Sequence, residues 1–148
     1  MKIAIGSDHG GFNLKEDLKG YFNDHQIEYD DFGTYSNEAV DYPDFAYRVG
    51  HAVVKKQYDF GIVICGTGIG ISIAANKVEG VRAALVYDEQ TGQLAKQHNN
   101  ANVIALGGRT TPFEKAVKIL EAYMHASYEP RHQNRINKIH NIEKESHK

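Results

Sequence analysis

Residues Phe60-Gly61-Ile62-Val63-Ile64-Cys65-Gly66-Thr67-Gly68-Ile69-Gly70-Ile71-Ser72-Ile73-Ala74-Ala75-Asn76 read as a buried strand that runs into a glycine-rich turn and on into a helix. Ile62, Val63 and Ile64 are apolar at consecutive positions, the pattern of a strand covered on both faces. Gly66, Gly68 and Gly70 then remove the side chains that would keep a ligand or another backbone at a distance. The start of a helix leaves N–H groups without intrahelical partners. Together with the helix dipole they favour an anion, or a negative charge that develops during reaction. Cys65, the only cysteine of the chain, stands at the mouth of this turn.

Other readings of the same glycines meet specific obstacles. A dinucleotide fingerprint needs a third glycine five residues after the first, and counted from Gly66 that position is Ile71. A Walker-type phosphate loop needs a Lys followed by Ser or Thr, and a cysteine phosphatase loop needs a closing Arg; the run Ile71-Ser72 supplies neither. The plainest alternative is a tight turn beside an inert core cysteine, since free Cys is often simply buried.

Outward from this stretch the chain alternates strand and helix. Lys2-Ile3-Ala4-Ile5 is a strand, and Gly6-Ser7-Asp8-His9-Gly10-Gly11 a polar turn. Leu14, Leu18, Tyr21 and Phe22 follow at helical spacing. Residues 27–32 alternate as a strand, residues 33–43 form a loop, and Phe45, Val49, Ala52 and Val53 mark an amphipathic helix. Beyond the glycine turn, Val81 to Tyr87 is the next strand, Asp88 to Gln97 a helix ended by His98-Asn99-Asn100, and Val103 to Leu106 a fifth strand. Gly107-Gly108-Arg109 is a turn. Thr111-Pro112-Phe113-Glu114 has the spacing of a capping box with proline at the first helical position, ahead of a helix lined by Phe113, Val117, Leu120 and Met124. This alternation predicts an α/β fold: a doubly wound, open parallel sheet of about five strands, Rossmann-like and three-layered, with an extra C-terminal helix. Ligands of such folds bind beyond the carboxyl ends of the strands, where the turns 6–11, 65–70 and 107–109 are expected to meet.

With 148 residues, 41% of them hydrophobic and 24% charged, the chain makes one domain with its own core. A formal net charge of −2 gives no general attraction to nucleic acid or to a membrane surface, so an anionic ligand has to be caught locally. One cysteine forms no internal disulfide, which suits a reducing compartment. The polar Gly6-Ser7-Asp8 comes too early for a signal peptide and no apolar run reaches membrane-spanning length, so a cytoplasmic location is expected. The tail, Glu129 to Lys148, is very polar with a narrow stripe of Ile136, Ile139 and Ile142, enough to dock on a partner subunit or on its own domain.

Few residues are equipped for chemistry. Asp8 and His9 sit at the first turn, where Asp is also ordinary turn chemistry. His98 and Asn99 end a helix, as caps do, yet an imidazole there also moves protons near neutral pH. Arg131 and Arg135 are four apart, so on a helix both guanidinium groups face one way and suit a phosphate; a solvated basic face is the competing reading. No His, Cys or carboxylate group has metal-ligand spacing. A thiol beside a cradle for negative charge, with an imidazole and two arginines, points to proton abstraction next to a carbonyl of a phosphorylated small molecule.

The sequence resembles the type B ribose-5-phosphate isomerases, a family that also contains galactose-6-phosphate isomerase subunits. The likeness extends from Met1 to about Ile142. It is carried by Gly6-Ser7-Asp8-His9-Gly10-Gly11, Asp41-Tyr42-Pro43, the run Cys65 to Lys77, Gln97-His98-Asn99, Gly107-Gly108-Arg109, and Arg131-His132 with Arg135. The resemblance implies interconversion of ribose 5-phosphate and ribulose 5-phosphate through an enediolate, with no metal and no organic cofactor. Cys65 would be the base, and Thr67 and His98 would open the furanose ring. The amides of Gly66, Gly68, Ile69 and Gly70, with Asn99, would hold the enediolate oxygens, at about 3 kcal/mol per lost donor. His9, Arg109, Arg131 and Arg135 would hold the phosphate, and Asp8 and Tyr42 the sugar hydroxyls. It also implies a homodimer or homotetramer with active sites shared between subunits, which the docking tail suits.

Two departures from the family pattern stand out. Glu129-Pro130 replaces two glycines before Arg131 and is one residue shorter, which leaves allose 6-phosphate or galactose 6-phosphate open as the substrate. Cys65 and Ile69 separate the chain from relatives with a glutamate further along the loop. A non-catalytic sugar-phosphate-binding subunit is the rival from another class; the joint presence of Cys65, Thr67 and His98 speaks against it.

Overall fold

In the computed structural model, which describes residues 1–55 and 57–146, the apolar run at residues 62–64 is the middle of the sheet. Among the described residues the strands are β1 (Lys2–Ser7), β2 (Glu28–Asp31), β3 (Phe60–Cys65), β4 (Ala83–Leu85) and β5 (Val103–Gly107). All pair in parallel in the order β2-β1-β3-β5-β4. Every residue of β3 is buried, as its unbroken apolar pattern requires. The α/β class and the doubly wound parallel sheet of five strands are thus observed.

The helices divide between the two faces. Helices α1 (Phe12–Asp24), α4 (Glu89–Gln97) and α5 (Phe113–His125) cover one side, packing Leu14, Leu18, Phe22, Ala95, Ile119 and Leu120 against Ile3, Ile5, Ile62, Ile64 and Ile104. Helices α2 (Tyr42–Val54) and α3 (Ile69–Ala75) cover the other, with Phe45, Val49, Val53 and Ile71 on Ala4, Val63, Val103 and Ala105. The order in which strands are added reverses between β1 and β3, whose following helices leave on opposite faces. That opens a crevice beyond their carboxyl ends.

Local details differ from expectation for identifiable reasons. The strand expected over Val81 to Tyr87 narrows to Ala83–Leu85, an edge strand with one neighbour. Asn76 takes the missing neighbour's place: its side-chain Oδ1 accepts from Ala83 N at 2.8 Å and its Nδ2 donates to Ala83 O at 3.0 Å. The capping box expected at Thr111–Glu114 does not form; Pro112 is extended, with ψ 153°, and is itself the N-cap of α5. A box is found instead on α4, where Asp88 Oδ1 accepts from Thr91 N at 2.7 Å and Thr91 Oγ1 accepts from Asp88 N at 3.2 Å. Threonine at the third helical position disguised it, since Glu or Gln is the usual partner. Pro43, expected in the loop, lies in the first turn of α2.

The tail forms a short 3-10 turn at Pro130–His132 and then α6 (Gln133–Ser146). Ile136 is buried, and the Glu143 carboxylate accepts from Gly80 N at 3.0 and 3.1 Å, so one face of α6 lies on its own domain. Ile139 and Ile142 stay 46% and 65% exposed. The last two residues of the expected tail, His147 and Lys148, lie outside the described residues. No helix among the described residues is long and apolar enough to cross a membrane.

Candidate active site

Three turns expected at the carboxyl ends of β1, β3 and β5 are laced together by backbone hydrogen bonds. Asp8 N donates to Ile64 O at 3.1 Å, Gly108 N to Cys65 O at 2.8 Å and Arg109 N to Gly66 O at 2.9 Å. Such approach is possible only without side chains. A Cβ at Gly10 would lie 2.9 Å from Gly66 N, and one at Gly108 would lie 2.4 Å from Gly10 O. Gly68 has φ +80°, the left-handed conformation that turns the chain from β3 into α3, and a Cβ there would strike the backbone of Leu106 at 2.8 Å.

Around this floor the structure gathers Cys65, Thr67, Asp8, His9, Tyr42 and Arg109. Cys65 is buried at the end of β3, and its Sγ accepts from Gly68 N at 3.2 Å. Thr67 is exposed on the turn, and its Oγ1 accepts from Ile69 N at 3.2 Å. Two of the amides expected to face an enediolate therefore have internal partners, Gly68 with the sulfur and Ile69 with the threonine. Those of Gly66 and Gly70 remain the direct candidates. The Arg109 guanidinium lies over Gly66, where a Cβ would meet Nη1 at 3.1 Å, and the Tyr42 ring lies over Gly70, where a Cβ would meet its hydroxyl at 3.0 Å. Asp8 Oδ1 accepts from Gly11 N at 3.1 Å, so part of the carboxylate serves the turn, as its residue type allows. His9 Nδ1 accepts from Val40 N at 3.2 Å, which leaves the neutral ring's hydrogen on Nε2.

His98, Asn99, Arg131 and Arg135 are not with them in a single chain. His98 caps the C-terminus of α4 and precedes β5, so it lies at the amino-terminal edge of the sheet, whereas Cys65 pairs with Gly107 at the opposite edge. Between those edges β5 rises over four steps from Val103 to Gly107, about 13 Å at 3.3 Å each. At the amino edge a second cluster forms. The His98 and His132 rings stack with centroids 4.3 Å apart, Arg131 Nη2 donates to Glu129 Oε1 at 2.9 Å, and Arg135 Nη1 lies 3.4 Å from His132 Nδ1. Burial, then the charges of Arg131, His98 and Arg135, hold the His132 imidazole below the usual histidine range, against the pull of Glu129. Arg131 sits on the 3-10 turn and Arg135 on α6, so they do not share one helix as their spacing suggested.

Glu129 and His132 escaped the sequence reading as site residues. With His98 they bring ligand-type atoms within 4.8 Å of one another. His98 is far from the other two in the chain, so no spacing signal links the three; the segments are joined by the bond from Glu129 N to Gln97 O, at 2.9 Å, and by the contact of the His98 and His132 rings.

Comparison with known proteins identifies the family. Residues 3–139 match the family model described as Ribose/Galactose Isomerase. Ribose-5-phosphate isomerase B of Escherichia coli K12 is 46% identical over 143 residues, covering 96% of each chain. The solved ribose-5-phosphate isomerase B of Clostridium thermocellum superposes with a TM-score of 0.96 at 48% identity over 99% of each chain. That of Mycoplasma genitalium with bound ribulose-5-phosphate gives 0.91 at 44% identity over 97% of each. With a family model spanning nearly the whole chain and the glycine-floored crevice in place, the protein belongs to the ribose/galactose isomerase family.

Proposed function

We propose that this chain interconverts ribose 5-phosphate and ribulose 5-phosphate, with Cys65 as the base that carries the proton between C1 and C2. The observation that carries the reading is a lone thiol at the strand end, set in a crevice floored by glycine backbone and flanked by Asp8, His9, Tyr42 and Arg109. Thr67 and His98 open the furanose by relaying its hydroxyl proton. Cys65 Sγ, as thiolate, removes the C2 proton and returns it to C1, while the oxygen on C2 becomes the carbonyl and that on C1 takes a proton. The amides of Gly66 and Gly70, with Asn99, meet the charge on the enediolate. His9, Arg109, Arg131 and Arg135 hold the phosphate.

Because His98, Asn99, Arg131 and Arg135 lie at the other edge of the sheet, the reading includes a second copy that supplies them. A two-fold axis running across the strands sets the amino edge of one copy against the carboxyl edge of the other, and it does so twice. Ile69 and Ile73 of α3, with Leu85 and Tyr87 at edge strand β4, are exposed apolar groups on the side such a dimer would cover. Glu129-Pro130 beside Arg131 keeps a hexose phosphate as the second reading. The lone thiol suits a reducing compartment, so a cytoplasmic location is part of the proposal.

The test is turnover of ribose 5-phosphate, run beside allose and galactose 6-phosphates, by Cys65→Ala and His98→Ala chains separately and then reassociated as an equal mixture. Random pairing of dimers puts both intact groups in one quarter of the sites, so the mixture recovers about a quarter of wild-type activity. A mixture as inactive as its parents would refute the shared site; an inactive wild type would refute the isomerase.

A further inference from the structure

Glu129 Oε1 lies 2.9 Å from Arg131 Nη2, 3.6 Å from His132 Nε2 and 3.9 Å from His98 Nε2. The proton positions decide what such a group can hold. A guanidinium has no lone pair, so in the contact of Arg135 Nη1 with His132 Nδ1 the ring nitrogen must accept. The neutral ring then carries its hydrogen on Nε2, the atom facing Glu129. His132 is buried, and Nε2 has no partner within hydrogen-bond distance, so this donor is aimed at the Glu129 carboxylate but not yet satisfied.

A cation is the obvious alternative, because two imidazoles and a carboxylate are a zinc-type ligand set and their spacing approaches the roughly 3.3 Å tetrahedral edge of such a site. A metal would need the Nε2 lone pair of His132. That requires moving the hydrogen to Nδ1, into the Arg135 N–H, and placing a divalent charge beside two guanidinium groups. The cluster is built for an anion, and its present occupant is the chain's own carboxylate.

We propose that Glu129 is a tethered occupant of the anion seat formed by Arg131 and His132, with Arg135 behind and His98 at its rim, and that a ligand's phosphate must displace it. This rests on the reading of Arg131 and Arg135 as the phosphate grip and deepens it. Glu129 is held in place by the bond from its N–H to Gln97 O and by the fixed φ of Pro130. The side chains of Glu129, His98 and Arg131 are 39%, 39% and 68% exposed, so a dissolved anion has access to them. A dianionic phosphate brings more charge to the donors than one carboxylate does and displaces it. Monoanionic sugar acids do not, so Glu129 lowers affinity in general and sharpens selection for phosphate.

The experiment titrates inorganic phosphate by calorimetry into the wild type, Glu129→Gln and Glu129→Ala, with ZnCl2 titrated separately. Removing an exposed charge-assisted competitor tightens phosphate by about three- to tenfold in both variants, and KM for ribose 5-phosphate falls by a similar factor. Unchanged or weaker phosphate binding would overturn the seat. So would micromolar zinc binding that Glu129→Gln abolishes, which would make the cluster a cation site. The phosphate readout needs no turnover: tighter phosphate in a chain that isomerises nothing would keep the seat and refute the isomerase, and full turnover with unmoved phosphate affinity would do the reverse.

Discussion

Substituting Gly108 by Ala isolates the role of the glycine floor, because it adds one methyl group and no charge. The new Cβ would sit 2.4 Å from Gly10 O and 2.8 Å from Gly11 Cα, whereas real Cβ atoms essentially never come within 3.0 Å. Both neighbours are backbone, so no side chain can swing aside. The 107–109 and 8–11 turns must separate, and they carry Arg109 on one side and Asp8 with His9 on the other. Over-packing of this kind costs about 1–3 kcal/mol. For a chain of this length that lowers Tm by about 2–4 °C per kcal/mol. A misplacement near 1 Å costs about a hundredfold in rate, so a shift of half that size lowers kcat/KM by about tenfold. The control is Gly20→Ala in α1, where no atom lies within 4 Å of the added Cβ. It raises stability by about 0.5–1 kcal/mol and leaves turnover unchanged. The assay is steady-state turnover of ribose 5-phosphate beside thermal unfolding. A folded Gly108→Ala protein with wild-type kcat/KM would refute the claim that the two turns form one rigid floor.

Two further outcomes follow from single residues. Cys65→Ala abolishes isomerisation, a loss of at least a thousandfold, yet still binds inorganic phosphate, measured by exchange of the C2 hydrogen with solvent and by calorimetry; retained exchange would remove Cys65 as the base. Asp31 links sheet and helix: Lys15 Nζ donates to Oδ2 at 2.6 Å, Lys19 Nζ donates to the same oxygen at 2.8 Å, and Gly33 N donates to Oδ1 at 2.9 Å. Burial alone would raise its pKa, but these bonds outweigh burial and hold the carboxyl below the usual range. Its contribution to stability is therefore complete above the ordinary carboxylate pKa and fades as pH falls below about 4. Asp31→Asn flattens that part of the urea-unfolding profile and, by leaving the fully buried Lys15 short of a counter-charge, costs about 3 kcal/mol at pH 7. An unchanged urea midpoint at pH 7 would refute this.

Patterns of apolar residues were enough to read the sheet, its parallel sense and the convergence of three glycine turns, because each rests on local spacing. Lys15 was not legible: a lysine in the polar positions of a helix reads as solvated, and only the placement of Asp31 on the neighbouring strand buries it. The partition of the site was legible in principle. In a parallel α/β chain a residue that follows a strand lies at the carboxyl edge, and one that follows a helix and precedes a strand lies at the amino edge. Asp8, Cys65 and Arg109 follow strands, whereas His98 follows α4 and precedes β5. A site that groups His98 with Cys65, as proposed, therefore needs two chains. Glu129 adds what no such rule supplies. Its meeting with His98 depends on how the segment after α5 folds back across the end of α4, and there the carboxylate stands among the groups proposed to hold a phosphate.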